Sequence, residues 1–329
     1  MTIDIHIHLD EGPYNNEYLK KIFHHFLEKK DSSKTSDVNI KLNDFKNIIK
    51  NNGYDKTWFD LYLEKAVEKN LKVVGIVDHM YRFKEFKHYF QKHIVDEVYV
   101  HDKTLSCIQA DWLDKVCVTS FNQFKDFIQG EKQKWKDHGI ELLYGLEVDF
   151  FSGEADFLKQ TIECLDLDYT IGSVHFYKGF GFDNPTLEHY FNQLDLDAAY
   201  TTHFETILEM IRANIVDIIA HVDNLKVFQF EPSNMIKDKY FKQISLALND
   251  TDTIIEWNSG LKYRYPVQQS CPSQKDIEYF IKNKITLSSD SHLYDDIGYD
   301  VELKENYLKK LGVNQVYYMV RKKEHAINL

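Results

Sequence analysis

Seven short runs of strand-forming residues recur along the chain, separated by segments with helical patterning. The runs are rich in valine, isoleucine, leucine and aromatic residues, which is typical of β-strands. They are 2–9 (TIDIHIHL), 72–79 (KVVGIVDH), 142–151 (LLYGLEVDFF), 169–176 (YTIGSVHF), 216–224 (VDIIAHVDN), 253–260 (TIIEWNSG) and 285–292 (ITLSSDSH). Because strands that alternate with helices pair in parallel, seven such units predict a closed α/β barrel in place of an open sheet.

Helical patterning fills most of the connections. Segment 58–70 (WFDLYLEKAVEKN) places apolar residues at helical spacing, and 238–248 does the same. Ser273 and Asp276 form a capping-box pattern that predicts a helix over 277–284.

Two connections are longer than an α/β unit requires, and we interpret both as insertions. One runs from about 10 to 56 and contains the polar break DSSKTSD at 31–37, and the other runs over 81–139 and is rich in lysine and aromatic residues. Each either forms part of an active-site rim or covers the barrel exterior. We therefore expect one domain over 1–329 with these two insertions.

Bulk properties exclude several classes of protein. The formal net charge of −12 argues against sequence-independent nucleic-acid binding, which depends on basic surface, although bound cations could still make one cleft attract an anion. No apolar run reaches the ~18–20 residues of a membrane span, and no export signal is visible. The four cysteines are scattered, with no CxxC pair, which favours reduced thiols. We expect a cytoplasmic protein with no membrane partner and no stable nucleic-acid partner.

Histidine or carboxylate groups stand at the ends of all seven runs. Side chains two apart on a strand share a face, so a pair such as His6 and His8 can point together to the barrel mouth, where barrel enzymes place their chemistry. The groups are His6 and His8, Asp78 and His79, Glu147 and Asp149, His175, His221 and Asp223, Glu256 and Asn258, and Asp290 and His292.

Each of these groups alone has an ordinary explanation as a buried, hydrogen-bonded core residue. Together they would be costly to bury without compensation, and divalent cations compensate histidines and carboxylates at once. The sequence therefore predicts a polynuclear metal site. The other histidines are expected on solvated faces: His24, His25, His88, His93, His101, His138, His189, His203 and His325.

The order and spacing of seven motifs resemble the PHP (polymerase and histidinol phosphatase) superfamily and, within it, the histidinol-phosphatase-like branch. The resemblance spans nearly the whole chain and implies an α/β fold, a distorted (β/α)7 barrel of the PHP type with helical insertions. The motifs are HIH (6–8), VDH (77–79), GLEVDF (145–150), GSVHFYKGFGFDNP (172–185), IIAHVDNLKVF (218–228), EWNSGLKYRYP (256–266) and SSDSHLYDDIG (288–298).

The resemblance also implies how the metal ligands divide. A first ion would be held by His6, His8, Glu147 and Asp290, and Glu147 would bridge to a second ion held by His175 and His221. A third ion would use His79 and His292, together with a histidine that family members often place several residues beyond the HxH motif.

The chain departs from this pattern in one place, because no histidine lies between His8 and His24. Asp10, Glu11, Tyr14 or solvent would have to complete the third site. We therefore expect two or three divalent ions, for which the ligand set suits zinc, manganese or iron.

No P-loop, GxSxG or Cys–His pattern indicates a protein nucleophile, so the expected chemistry is hydrolysis by metal-activated water, with Glu147 and Asp290 central to it. A phosphate group needs further contacts, and the loop residues that could supply them are Arg264, Lys178, Lys262 and, more weakly, Arg82; each has an ordinary surface charge as its alternative. Asp183 either orients a ligand or donates a proton to the leaving group, with a loop-capping role as the alternative.

The leading hypothesis is a metal-dependent phosphomonoesterase acting on a small phosphorylated substrate, with L-histidinol phosphate, an intermediate of histidine biosynthesis, as the first substrate to test. A second hypothesis is a PHP-type phosphodiesterase or nuclease acting on nucleotides or nucleic-acid ends, against which the acidic charge counts. A third is a non-catalytic, metal-binding regulatory barrel, which has no need of a complete ligand set.

Overall fold

The computed structural model describes residues 2–9, 19–20, 22–24, 45–51, 53–98 and 103–329. Most of the first insertion lies outside the described residues. The three side chains considered as substitutes in the third metal site lie outside them as well, namely Asp10, Glu11 and Tyr14.

A seven-stranded parallel sheet forms the centre of the molecule. Its strands pair in the order β1 (Thr2–Ile7), β2 (Leu71–His79), β3 (Glu141–Asp149), β4 (Tyr169–Ser173), β7 (Ile218–Ile219), β8 (Ile254–Asn258) and β9 (Ile285–Ser288). β9 returns to β1, where the His8 amide donates to Ser291 O at 2.7 Å and the Ser289 amide donates to Asp4 Oδ1 at 2.9 Å. The sheet is thus nearly closed, and the predicted seven-stranded barrel is confirmed.

Two small antiparallel hairpins accompany the barrel. β5 (Phe176–Tyr177) and β6 (Phe180–Gly181) follow β4 at the barrel mouth. β10 (Gln315–Val320) and β11 (Lys323–Asn328) lie at the opposite end. There, Lys322 Nζ lies 2.6 Å from Asp217 Oδ2, and the Lys322 amide donates to Asp168 O at 2.8 Å. Since both aspartates precede barrel strands, the second hairpin covers the end of the barrel away from the predicted site.

Helices connect the strands and cover the outside of the sheet. Residues 45–50 are helical as well. The α-helices are α1 (Lys56–Glu68), α2 (Lys87–Gln91), α3 (Lys103–Val116), α4 (Phe121–Asp137), α5 (Ala155–Glu163), α6 (Leu196–Ala213), α7 (Asn234–Asn249), α8 (Gly260–Arg264) and α9 (Val301–Lys310). Segments of 3-10 helix cover Met80–Arg82, Lys84–Phe86, Pro185–Gln193, Asn224–Lys226, Asp276–Phe280 and Tyr294–Asp296, and a π-helical turn covers Lys92–Asp96.

Several strands are shorter than the sequence predicts, and the difference falls at the site. β7 has only two residues, because beyond it the His221 amide leaves the ladder and donates to Glu256 Oε2 at 3.0 Å. β9 ends at Ser288, and Asp290 has a left-handed φ of 52° that an extended strand does not contain. His175, His221, Asp290 and His292 therefore lie in the loops that follow the strands.

The helix predicted over 277–284 is also shorter than expected. The capping contact is present, with the Asp276 amide donating to Ser273 Oγ at 3.2 Å. The helical turn nevertheless covers only Asp276–Phe280, because the chain must reach β9 at Ile285. None of the described helices is both long and apolar enough to cross a membrane.

Close packing inside the barrel predicts an intolerant glycine. Tyr169 reaches across Gly75 of β2 and donates from its hydroxyl to Ile5 O at 2.6 Å. A Cβ at Gly75 would lie 2.8 Å from Ile5 O and would collide with the Tyr169 hydroxyl. We expect Gly75→Ala to lower the free energy of unfolding by about 1–3 kcal/mol, measured by urea denaturation.

The matched control is Gly130→Ala in α4, where the described residues place no atom within 4 Å of the new Cβ apart from the adjacent backbone of the helix itself. That variant should be neutral or slightly stabilising, and equal losses in the two variants would contradict the packing argument.

Candidate metal centre

Glu147, near the end of β3, lies at the centre of the predicted ligands and is fully buried. Its oxygens face different histidines. Oε2 lies 3.4 Å from His6 Nε2 and 3.3 Å from His8 Nε2, whereas Oε1 lies 3.4 Å from His175 Nε2 and 3.1 Å from His221 Nε2. One carboxylate thus has two separate pairs of nitrogen donors around it, which is the arrangement of a bridging ligand.

The first group consists of His6, His8, Glu147 and Asp290. His6 Nε2 lies 3.1 Å from His8 Nε2, and Asp290 Oδ1 lies 3.8 Å and 3.6 Å from these two nitrogens. Two ligand atoms bound to one tetrahedral zinc ion at 2.0–2.1 Å are separated by ~3.3 Å. The histidine and glutamate separations of 3.1–3.4 Å match that value, and Asp290 lies slightly outside it.

The second group consists of His175, His221 and Glu147. The two Nε2 atoms lie 3.3 Å apart, and each lies 3.1–3.4 Å from Glu147 Oε1. These three donors form a triangle of the same size as the first group. The structure therefore brings both predicted ligand sets into metal-binding range.

His79 and His292 lie beside the first group. The His79 ring stacks on His8 at 4.3 Å, and His292 stacks on His8 at the same distance; ligand atoms of all three lie within 4.8 Å of one another. His79 Nδ1 is only 2.7 Å from Glu147 Oε2, yet neither atom makes an aligned hydrogen bond in the described part of the chain. That separation is shorter than the ~3.3 Å between two ligands of one zinc ion, so the donor set that suits a metal here is the group of three stacked histidines.

Two further carboxylates orient the histidines. His6 Nδ1 lies 2.7 Å from Glu256 Oε1, and His175 Nδ1 lies 2.7 Å from Asp149 Oδ1. With a metal bound, each imidazole would be neutral, so that its carboxylate accepts the Nδ1 proton and the Nε2 lone pair is free for the ion. From sequence, Glu256 and Asp149 belong to the cluster of strand-end groups but have no individual role. The signal that could have indicated this role was their spacing, because each lies two residues from another polar strand-end group, on β8 and β3 respectively, and so shares its face of the strand.

The electrostatics of the cluster favour a cation. Burial alone disfavours a charged His175, but the carboxylates of Asp149 and Glu147 outweigh burial and raise its pKa to about 10. Burial also opposes a charged His6, yet Glu256 and Glu147 hold its pKa well above the ordinary value. Burial, with His292 and His79, lowers the pKa of His8 well below its usual range. Because the pKa values of His6 and His175 are raised, binding of a divalent ion would have to displace protons from the cluster.

Of the residues predicted to bind substrate, Arg264 contacts one of the predicted metal ligands. Its Nη1 is 3.4 Å from Asp290 Oδ1. Lys262, two residues earlier, instead forms an ion pair with Asp300. Arg264 is thus the positively charged side chain of this loop that contacts a candidate metal ligand, Asp290.

The other residues predicted to contact the substrate lie in different surroundings from one another. Arg82 is buried, with Nε 3.1 Å from Asp78 Oδ1, and Tyr54 donates to the other oxygen of that carboxylate. Lys178 is exposed, with Nζ 5.3 Å from the Tyr177 ring centroid. Asp183 is half-buried, and its burial, opposed by the charges of His175 and His79, raises its pKa.

The insertion over 81–139 does both of the things considered from sequence: one part borders the active-site rim, and another part covers the barrel exterior. Tyr81 stacks on the His79 ring at 4.5 Å, and the Tyr89 hydroxyl donates to Asp149 O at 3.1 Å, so this part borders the mouth. Trp135 of α4 instead packs on Phe59 of α1 at 5.0 Å, away from the site.

Among the remaining histidines, His25 and His101 lie outside the described residues, and one expectation about the others is wrong. His203 does not lie on a solvated face but is 1% exposed, with Nε2 3.1 Å from Val222 O. Burial lowers its pKa to about 3, so it stays neutral. Its position on the buried side of α6 explains the error, since a single histidine carries no signal of which helix face it occupies.

Comparison with known proteins identifies the family. The PHP domain family model matches residues 57–260, a span that contains His79, Glu147, His175 and His221. The chain belongs to the PHP domain family. Its first strand and its last barrel strand, with His6, His8, Asp290 and His292, lie outside the matched span, so those four residues rest on the structure and the motifs.

Relatives of this PHP domain protein include two named "Probable histidinol-phosphatase". The one from Deinococcus radiodurans is 25% identical over 221 residues, covering 64% of this chain and 81% of that protein. The one from Schizosaccharomyces pombe is 23% identical over 214 residues, covering 60% and 69%.

Two solved structures share the fold. The histidinol phosphate phosphatase of Lactococcus lactis, complexed with zinc, L-histidinol and phosphate, has a TM-score of 0.64 at 14% identity and covers 98% of both chains. The putative histidinol phosphatase of Listeria monocytogenes has a TM-score of 0.60 at 18% identity and covers 74% of this chain and 93% of its own.

The pKa of His175 predicts a pH-dependent metal affinity. In chelator-stripped protein, a raised pKa means that a proton must leave His175 before an ion binds at any pH below about 10, so zinc affinity should increase with pH. We expect Asp149→Asn to reduce zinc affinity about 10- to 100-fold at pH 8 and to flatten the pH dependence, because it removes both the orienting acceptor and the charge that raises the pKa. Competition with a chromogenic chelator at pH 6, 7 and 8 measures both effects.

The control for this experiment is Asp217→Asn, which alters a carboxylate at the opposite end of the barrel. It should leave zinc affinity unchanged at every pH. An Asp149→Asn protein with the affinity and slope of the unaltered chain would show that Asp149 does not orient a ligand.

Proposed function

We propose that this PHP domain protein is a metal-dependent phosphomonoesterase that hydrolyses L-histidinol phosphate to L-histidinol and phosphate, as a step of cytoplasmic histidine biosynthesis. One observation carries the metal-dependent part: the buried Glu147 presents its two oxygens to two separate histidine pairs. The names of the relatives and the fold shared with a histidinol phosphate phosphatase support the substrate.

The proposal assigns the metal ligands as follows. One ion would be held by His6, His8, Glu147 and Asp290. A second would be held by His175, His221 and Glu147, and a third by His79 and His292. Zinc, manganese and iron all suit these donors, and the zinc of the Lactococcus structure supports testing zinc first.

Bound ions would supply a lowered water pKa and charge neutralisation on the phosphoryl group. The chain's own residues do the remaining work. Glu256 and Asp149 hold His6 and His175 with Nε2 directed at the centre. We assign Arg264, which lies beside Asp290, the donation of a hydrogen bond to a phosphate oxygen. We assign Asp183 the orientation of the leaving group or the protonation of its oxygen.

A substrate panel tests the proposed activity. Protein supplied with zinc or manganese should hydrolyse L-histidinol phosphate with a higher kcat/KM than other small phosphomonoesters, and should cleave bis(4-nitrophenyl) phosphate poorly. Released phosphate and nitrophenolate are the readouts. A clear preference for the diester would replace the phosphomonoesterase with a phosphodiesterase, and no hydrolysis by metal-loaded protein would favour a regulatory barrel.

Glu147→Gln tests the bridging ligand. The amide keeps the shape but loses the charge that two cations share, so we expect fewer metal equivalents per chain and a loss of at least 100-fold in kcat. Metal content is measured by inductively coupled plasma mass spectrometry on protein purified without chelator, which should carry two or three equivalents before substitution.

The control is His24→Ala, because His24 is exposed and lies outside the cluster. Its metal content and activity should equal those of the unaltered chain. Full activity in Glu147→Gln would remove Glu147 from the bridging position.

A further inference from the structure

We propose that Trp112, on helix α3 of the second insertion, is a specificity-determining residue that recognises the imidazole ring of the substrate. This inference rests on the proposed function, because it assigns a contact to the same substrate. Trp112 lies in the second insertion, which contains none of the proposed metal ligands.

Helix α3 is fixed at the barrel mouth by a buried amide. The Gln109 side chain, 3% exposed, donates to Gly179 O at 2.8 Å and to Ile94 O, and its Oε1 accepts from the Gly181 amide at 2.9 Å. These contacts tie α3 to the β5–β6 hairpin, which directly follows His175. The helix therefore has a defined position relative to a candidate metal ligand.

Trp112 lies one helical turn after Gln109, on the same face of α3. Its ring lies 4.7 Å from Tyr81 and 6.3 Å from Phe176 between centroids. Tyr81 in turn stacks on the His79 ring at 4.5 Å with an interplanar angle of 13°. A continuous aromatic surface thus runs from a metal ligand to Trp112.

Exposure distinguishes Trp112 from its neighbours on this surface. Tyr81 and Phe176 are buried, each 9% exposed, whereas Trp112 is half-buried and keeps open ring area. Its indole N–H has no acceptor among the described residues, so it can donate to a ligand nitrogen. Trp112 is the member of this aromatic surface that offers both a ring surface and a donor.

The dimensions fit the substrate. In an extended L-histidinol phosphate, five bonds separate the phosphorus from the imidazole ring, a span of roughly 6 Å. Trp112 is two ring-to-ring steps of 4.5 and 4.7 Å from His79, at most about 9 Å in all. With the phosphate at the metal cluster, the imidazole would therefore end short of Trp112 by about the separation of two stacked rings. Stacking on an aromatic ring selects a planar ligand over an aliphatic one of similar charge.

The test compares two esters that differ only in the imidazole, L-histidinol phosphate and L-alaninol phosphate. Trp112→Ala should lower kcat/KM for L-histidinol phosphate at least tenfold, mainly through KM, and change L-alaninol phosphate hydrolysis less than twofold. Trp112→Phe should retain most of the preference. Isothermal titration with L-histidinol and L-alaninol in the presence of phosphate gives a second readout, in which Trp112→Ala should weaken only L-histidinol binding.

The matched control is Phe157→Ala, which removes a partly exposed aromatic ring stacked on Tyr89 of the same insertion at 5.0 Å. It should leave the ratio of the two esters unchanged. Equal losses on both esters in Trp112→Ala would show a structural role and overturn the inference, as would unchanged values for both. If the unaltered protein hydrolyses neither ester, the proposed function fails, and the titration then decides about Trp112: no preference for L-histidinol over L-alaninol overturns the inference as well.

Discussion

The fully buried carboxylate of Glu147 is the constraint on which the rest of the site depends. A charge in the barrel interior is costly unless opposite charge surrounds it, and this carboxylate has histidines from several strand ends around it. Burial raises its pKa, but the neighbouring histidines, His79 and His6 foremost, more than compensate and hold the pKa well below its usual range. The carboxylate therefore stays ionised, and the site is built for positive charge, whether protons or metal ions supply it.

Closure of the barrel brings these groups together. Glu256 accepts from His6 across 250 residues of sequence, and the Ser291 carbonyl accepts from the His8 amide where β9 meets β1. The same contacts that close the sheet thus orient the ligands. A parallel barrel gathers the ends of all its strands at one mouth, which is why ligands so far apart in sequence share one carboxylate.

The second insertion links this centre to the rim. Its first part lies against His79 through Tyr81, and α3 is tied through Gln109 to the hairpin that follows His175. Its last helix, α4, instead covers the barrel exterior through Trp135. One insertion therefore contributes both to the surroundings of the site and to the outer layer. This division explains why composition alone could not assign it to either place.

The sequence by itself determined the seven strands, the barrel and the residues at the strand ends. Hydrophobic alternation and strand propensity are local properties, so they can be read from neighbouring residues without the tertiary structure.

The sequence did not determine where the strands stop. His221 and Asp290 leave their strands because of a hydrogen bond to Glu256 and a left-handed backbone angle, respectively. Nor did it determine that Glu256 and Asp149 orient histidines, that His203 is buried, or that Lys262 pairs with Asp300 while Arg264 lies beside Asp290. Each of these facts depends on which distant side chain lies within hydrogen-bonding distance. Only the closed tertiary structure sets that distance, because hydrogen bonds and ion pairs between residues far apart in the chain have no signature in sequence spacing.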